Sequence, residues 1–126
     1  MAIRKLEKRV APDWVIVETT GKAYLADLRD KMKEFLGEQF PVVCVSVVDA
    51  HRWARLLYGA ETMMTNQVQG GDILVINKVD LNPDVPPILE DVKRIAGAKP
   101  VLAINALTDS GAALYDTIER EAKRNA

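Results

Sequence analysis

Hydrophobic residues along this chain form two patterns that follow each other in turn. Four short apolar runs are rich in β-branched residues and lack apolar-polar alternation, which is typical of strands covered on both faces. They lie at residues 14–17, 42–48, 73–76 and 101–104. Between and after these runs, apolar residues recur at helical spacing. The sequence therefore predicts an α/β fold, a three-layer sandwich in which a mainly parallel sheet lies between helices.

The predicted helices follow the strands in order. Their apolar faces contain Leu25, Leu28, Met32, Phe35 and Leu36; Trp53, Leu56, Leu57, Ala60, Met63 and Met64; Ile88, Val92 and Ile95; and Leu114, Ile118 and Ala122. Gly37 and Gly97 are expected to end two helices, and Asp109-Ser110-Gly111 to begin the last. Ligands in such folds bind beyond the carboxyl ends of the strands. Each candidate functional loop here follows a strand.

Composition, charge and the length of the apolar runs limit the classes of protein to which this chain can belong. The 126 residues fit one domain, residues 1–126, and 48% hydrophobic with 28% charged residues is the balance of a soluble globular chain. Seventeen basic and eighteen acidic residues, without a basic block, exclude a charged surface for nucleic acid or membrane. No apolar run approaches the about 18–20 residues of a membrane span, and the first residues lack a signal-peptide core, so a cytoplasmic protein is expected. The single cysteine, Cys44, is expected to be buried.

The strongest chemical signal is Asn77-Lys78-Val79-Asp80, at the end of the third apolar run. A guanine base presents an N1–H and a 2-amino group on one edge, and the acceptors O6 and N7 on another. The Asp80 carboxylate can accept from both donors, the Asn77 amide can address the acceptors, and Lys78 can lay its methylene stem along the base. The apolar strand before the motif and Leu81 after it favour a guanine-nucleotide site over an ordinary polar turn.

A second signal is Glu18-Thr19-Thr20-Gly21, which follows the first apolar run. A carboxylate at a strand end can hold Mg²⁺ through water or orient an attacking water, and a glycine lets the backbone approach a terminal phosphate closely. Taken alone, a strand followed by a helix cap explains the segment equally well. The pair Gly21-Lys22 is not a phosphate-binding P-loop, because Ile16 stands where the first glycine is required and Ala23 replaces the hydroxyl residue.

Together these segments resemble the CobW, UreG and HypB type of metal-homeostasis P-loop GTPases. Residues 12–21 are similar to the family's Mg²⁺ and γ-phosphate segment, and residues 47–50 (Val-Val-Asp-Ala) to its next strand end. Residues 71–81 resemble the base-recognition segment. Residues 104–111 (Ile-Asn-Ala-Leu-Thr-Asp-Ser-Gly) are similar to the last nucleotide loop, whose backbone in the family meets guanine O6.

The resemblance implies a role for each matching residue. Glu18 and Gly21 would be catalytic, serving Mg²⁺, the attacking water and the γ-phosphate, with Glu18 holding Mg²⁺ through water. The nucleotide-binding residues would be Asn77, Lys78, Asp80, Asn105, Ala106 and Leu107. The implied cofactors are GTP or GDP with Mg²⁺. The implied biological role is GTP-driven metal insertion into a metalloenzyme or cofactor, with that metalloenzyme as the target.

Two features of the family are missing from these 126 residues. They contain neither the P-loop G-x-x-x-x-G-K-[ST] nor the family's cysteine-rich metal motif. The resemblance therefore implies the carboxyl-terminal half or two-thirds of a GTPase domain; a truncated reading frame, an expression fragment and half of a split enzyme all fit the sequence. GTP hydrolysis is expected only if a P-loop is supplied. Two other hypotheses are a non-catalytic GTPase-like module that binds a partner protein, and an unrelated α/β binding domain in which the motif arises by chance.

The missing P-loop strand has a structural consequence. In the family it lies between the strands that correspond to residues 14–17 and 42–48, so both would lose a backbone ladder. The gap can close by direct pairing of these two strands, by a strand from a second copy, or by a strand from a P-loop-supplying partner protein. A homodimer is the simplest expectation.

Overall fold

A computed structural model describes residues 2–20, 24–82 and 84–126 of the chain. The helices in these ranges are α1 (Ala2–Val10), α2 (Leu25–Leu36), α3 (Trp53–Gly70), α4 (Val85–Ala96) and α5 (Ala112–Asn125). The strands are β1 (Val45–Asp49), β2 (Ile73–Asn77) and β3 (Val101–Ala103), and a short 3-10 turn, Val79–Leu81, follows β2. The predicted α/β class and the four predicted helices are confirmed.

The three strands form one parallel sheet in the order β1-β2-β3. Val45 pairs with Ile73 at one end of β1, and Asp49 pairs with Asn77 at the other. Because all three strands run in the same direction, their carboxyl ends lie at one edge of the sheet. The loops that follow β1, β2 and β3 are therefore neighbours.

The core lies between the sheet and the helices α3 and α4. It consists of Val48, Ala50, Trp53, Met64, Val68, Leu74, Ile76, Ile88, Val92 and Ala96. Side chains alternate along a strand, so Ile73 and Val75 point to the opposite face of β2, and both are also buried. Burial on both faces explains why this strand reads as a continuous apolar run.

Glycines end the two helices where the sequence predicts them to. Gly37 and Gly97 have φ values of 89° and 69°, and their N–H groups donate to the carbonyls of Lys33 and Lys93. This left-handed geometry favours glycine because it has no Cβ. Gly111, with φ of 78°, precedes α5, and its N–H donates to Asp109 at 2.7 Å.

The strand predicted over residues 14–17 is wrong. Residues 14–20 form neither helix nor strand, and none of their backbone groups bonds to β1. Trp14 instead stacks on Tyr115 of α5, with ring centroids 5.4 Å apart and planes 19° apart. A β-branched run becomes a strand only when a neighbour completes its ladder. Direct pairing of this run with β1, one of the three ways to close the gap, is therefore not what the chain adopts.

β1 is shorter than predicted and has an open edge. It begins at Val45 rather than residue 42 and extends to Asp49. The carbonyl of Cys44 accepts from Ile73, and the N–H of Ala50 donates to Asn77. Because a parallel ladder uses alternate residues, the backbone groups of residues 45, 47 and 49 turn outward, away from β2.

Among the described residues, no strand pairs with the outward edge of β1. Val47 is 60% exposed, whereas Val75, its partner across the ladder, is 2% exposed. A cavity of about 570 Å³ lies beside the edge, between β1, α2 and residues 15–20. Val15 and Val17 line one side of it, and Val45 and Val47 line another.

Helix α1 is not predicted by the sequence analysis. Ile3, Leu6 and Val10 have the helical spacing that could have indicated it, but none of its residues is buried. Cys44 is buried, as predicted. Within the described residues, no helix is long and apolar enough to cross a membrane.

Candidate functional site

The loops that follow β2 and β3 are joined by Asn77. Its Oδ1 accepts a hydrogen bond from the backbone N–H of Ala106 at 2.9 Å. The backbone N–H of Val79 also points to this loop, at 3.4 Å from the carbonyl of Ile104. With Oδ1 engaged, the Nδ2 of Asn77 is the part of the amide that remains to bind an acceptor. The structure thus brings together Asn77 and Ala106, two residues that the sequence assigns to one site.

Asp80 lies in the short turn after β2 with its carboxylate exposed. No described residue donates a hydrogen bond or forms an ion pair with this carboxylate. An ionised carboxylate has about four lone-pair positions and accepts only. Asp80 therefore offers two acceptor oxygens next to the loop that Asn77 anchors.

Lys78 connects this loop to the end of β1. Its backbone is left-handed, with φ of 61° and ψ of 36°. Its Nζ lies 2.7 Å from Oδ2 of Asp49, while the side chain as a whole remains 48% exposed. The ammonium is therefore held at the β1 end, in a side chain that is about half exposed.

Asp49 is the site residue that the sequence analysis does not assign a role. Its Oδ1 accepts the N–H groups of His51 at 2.9 Å and Arg52 at 3.3 Å. The hydrogen bond from Lys78 lowers the pKa of Asp49, and the two backbone donors lower it further against partial desolvation. The available signal was its position: Asp49 ends the strand that neighbours the Asn77 strand.

The loop after β3 is folded on itself. Oδ1 of Asn105 accepts the N–H of Leu107 at 3.1 Å, and its carbonyl accepts from Thr108 and Asp109. The N–H groups of Ala106 and Leu107 are therefore both engaged within the protein. In this conformation, neither supplies the free backbone donor that the resemblance implies for guanine O6.

The other predicted half of the site lies elsewhere. Glu18, Thr19 and Thr20 line the cavity beside β1, whereas residues 77–80 and 105–107 do not. Gly21, predicted to act with Glu18, lies outside the described residues. The structure groups residues 77–80 and 105–107, which the sequence predicts to recognise the base, at the strand ends, and it does not bring Glu18 into the same pocket.

A family model described as CobW/HypB/UreG, nucleotide-binding domain, matches residues 1–103. The chain belongs to this family. The match includes Glu18 and the loop from Asn77 to Asp80, and it ends before Asn105. No curated protein and no solved structure gave a significant match. The CobW/HypB/UreG match therefore confirms the predicted family and, with it, a nucleotide-binding class of domain.

Mg²⁺ was expected from the resemblance to CobW/HypB/UreG proteins. Among the described residues, no three histidine, cysteine or acidic side chains come together as metal ligands. Mg²⁺ in nucleotide sites is usually bound by one or two carboxylates, waters and the phosphates. Glu18 supplies one carboxylate in the cavity wall. A site of this kind needs no cluster of three protein ligands, so Glu18 as a ligand through water stays a prediction.

Proposed function

We propose that this chain is the guanine-recognising part of a CobW/HypB/UreG-type GTPase. The observation that carries the proposal is the unpartnered Asp80 carboxylate beside a loop that Asn77 fixes to Ala106 at 2.9 Å. The N1–H and the 2-amino group of guanine must both find acceptors at once. A rigid loop with free acceptors meets this requirement.

Base recognition uses three side chains of this loop. Asp80 accepts from N1–H and the 2-amino group, the Nδ2 of Asn77 donates to O6 or N7, and the stem of Lys78 packs on the base plane. Adenine places an amino group where guanine has O6, and it lacks the N1–H. A site built this way leaves buried polar groups unpaired with adenine and so rejects it.

The remaining roles follow from the family. Once a P-loop is supplied, Glu18 and Gly21 would serve Mg²⁺, the attacking water and the γ-phosphate, and Asn105, Ala106 and Leu107 would line the edge of the base. GTP turnover then drives metal insertion into a metalloenzyme or cofactor in the cytoplasm. The roles of Glu18 and Gly21 rest on the family match over residues 1–103, and those of residues 105–107 rest on the resemblance of the last loop.

Calorimetric titration with GDP and ADP tests the proposal. We expect GDP to bind with a Kd in the micromolar to millimolar range, about 4–8 kcal/mol, because the base supplies most of the contacts. ADP should bind more weakly by at least about tenfold, since the carboxylate loses both donors. Equal affinity for the two nucleotides would remove the argument from Asp80.

A second function is favoured by the open edge of β1. We propose that this edge and its cavity of about 570 Å³ accept a strand from a second copy of the chain, as in a non-catalytic interaction module. Residues 45 and 47 turn to that side backbone groups that no described residue pairs with, and the Val47 side chain is 60% exposed. Exposed strand edges of this kind are templates for pairing.

A lysine on this edge should prevent self-association. Val47→Lys places a charge on the outward edge, a device that natural sheets use against pairing, and we expect a dimer to become a monomer in light scattering. Val10→Lys is the matched control, because Val10 is 63% exposed on α1, away from β1. A wild-type monomer whose β1 amides exchange slowly would contradict the dimer.

A further inference from the structure

The ion pair between Lys78 and Asp49 joins two loops that the base-recognition motif alone does not connect. Nζ of Lys78 lies 2.7 Å from Oδ2 of Asp49, and the carboxylate is 22% exposed. Asp49 ends β1, and Lys78 directly follows the end of β2. The pair therefore crosses from one strand end to the next, at the edge of the sheet where a ligand would bind.

Asp49 is itself immobilised. Its Oδ1 accepts the backbone N–H groups of His51 and Arg52, at 2.9 and 3.3 Å, which fixes the carboxylate on the turn before α3. Its other oxygen is left to receive the lysine. A carboxylate held by two backbone donors has few rotamers to choose from, so its cationic partner is held in one direction too.

A lysine stem has four flexible methylene groups, and ordering it costs conformational entropy. Here the ammonium is already held at one end and the backbone at the other, with φ of 61°. The stem between them is ordered before any ligand arrives, and the side chain stays 48% exposed. A preformed apolar surface binds a planar base more tightly than a mobile one.

We propose that Asp49 is a positioning residue for guanine recognition, which holds the Lys78 stem as a fixed platform for the base. This inference rests on the proposed function. Asp49 does not touch the nucleotide; it acts through Lys78. The alternative is that Asp49 acts only through the turn that it forms with His51 and Arg52, in which case the effect of its loss would not depend on Lys78.

A double-mutant cycle separates these two roles. Asp49→Asn keeps the acceptor for His51 and Arg52 but removes the charge that holds Lys78, and Lys78→Met keeps an unbranched apolar stem without the ammonium. With GMP as the probe, we expect each single change to weaken binding about three- to tenfold, and the double change no more than either alone. Asp30→Asn is the control, since Asp30 is exposed on α2, whose Arg29 pairs with Asp72 at the opposite edge of the sheet.

The outcomes are distinct. Wild-type affinity for GMP in Asp49→Asn overturns the inference, and so does an Asp49→Asn loss that persists undiminished in the Lys78→Met background. If Asp49→Asn fails to fold, Lys78→Met alone tests the inference. Wild-type affinity for GMP in Lys78→Met would overturn it, because the held ammonium would then not be needed. A wild-type chain that binds GMP and AMP equally overturns the proposed function, and this inference with it.

Discussion

Replacing Asp80 by asparagine should move the preference of the chain from guanine to xanthine. The new amide no longer accepts from both N1–H and the 2-amino group, and its NH₂ can instead donate to the C2 carbonyl of xanthine. Hydrogen bonds to a charged group contribute about 1.5–3 kcal/mol each. We expect GDP affinity to fall by about ten- to a hundredfold, while affinity for the xanthine nucleotide rises. Calorimetry with GDP and its xanthine counterpart measures both.

Asp84→Asn is the matched control for this change. Asp84 is exposed four residues further along, at the start of α4, and its side chain does not cap that helix. The same substitution there should leave both affinities unchanged. A loss of GDP binding in Asp84→Asn equal to that in Asp80→Asn would mean that general charge, rather than base contact, attracts the nucleotide.

The chain on its own should release no phosphate from GTP above the buffer background. Phosphoryl transfer depends on positioning and on neutralising charge with the P-loop backbone, its lysine and Mg²⁺. These 126 residues contain no G-x-x-x-x-G-K-[ST] motif, and Glu18 lines a cavity apart from the base-recognition loop. A phosphate-release assay on purified chain measures the rate directly.

Glu18→Ala tests whether any phosphate release comes from this chain. Glu38→Ala is the control, at an exposed turn after α2. Phosphate release that survives Glu18→Ala comes from a contaminating enzyme. Release that is lost in Glu18→Ala and retained in Glu38→Ala would contradict the prediction and show that the chain has its own phosphate-binding site.

Much of this fold could be predicted from local patterns. The helix α4 was marked by Ile88, Val92 and Ile95 and ends at Gly97, whose positive φ explains the glycine. β2 was marked by a run that is buried on both faces. In these elements the sequence pattern and the packing agree, because the same residues that set the spacing also form the core.

The predicted strand at residues 14–17 was wrong because a strand depends on its neighbour. Its residues have high β propensity, but no strand of the described part of the chain pairs with them, and Trp14 packs on Tyr115 instead. Helix α1 was missed for a related reason. Its apolar residues have helical spacing, but none of them is buried, so they do not mark a core-facing side of a helix.

The residue types of the candidate site come from the sequence and remain a prediction, whereas their contacts could not be predicted from it. Asn77-Lys78-Val79-Asp80 indicated a guanine site, and the structure brings Asn77 to Ala106. The hydrogen bond from the N–H of Leu107 to Oδ1 of Asn105 depends on the path of the loop after β3. The ion pair between Asp49 and Lys78 depends on which strands are neighbours in the sheet. Strand order is a property of the folded sheet and cannot be predicted from a local sequence pattern.

The most direct test of the account is an amide chemical-shift map of the chain during titration with GMP and, separately, AMP. We predict that GMP shifts the amides of residues 77–80 and 105–107, that AMP at the same concentration does not, and that the amides lining the β1 cavity respond weakly. Equal shifts with both nucleotides, or shifts confined to the cavity residues, would contradict guanine recognition at the strand ends.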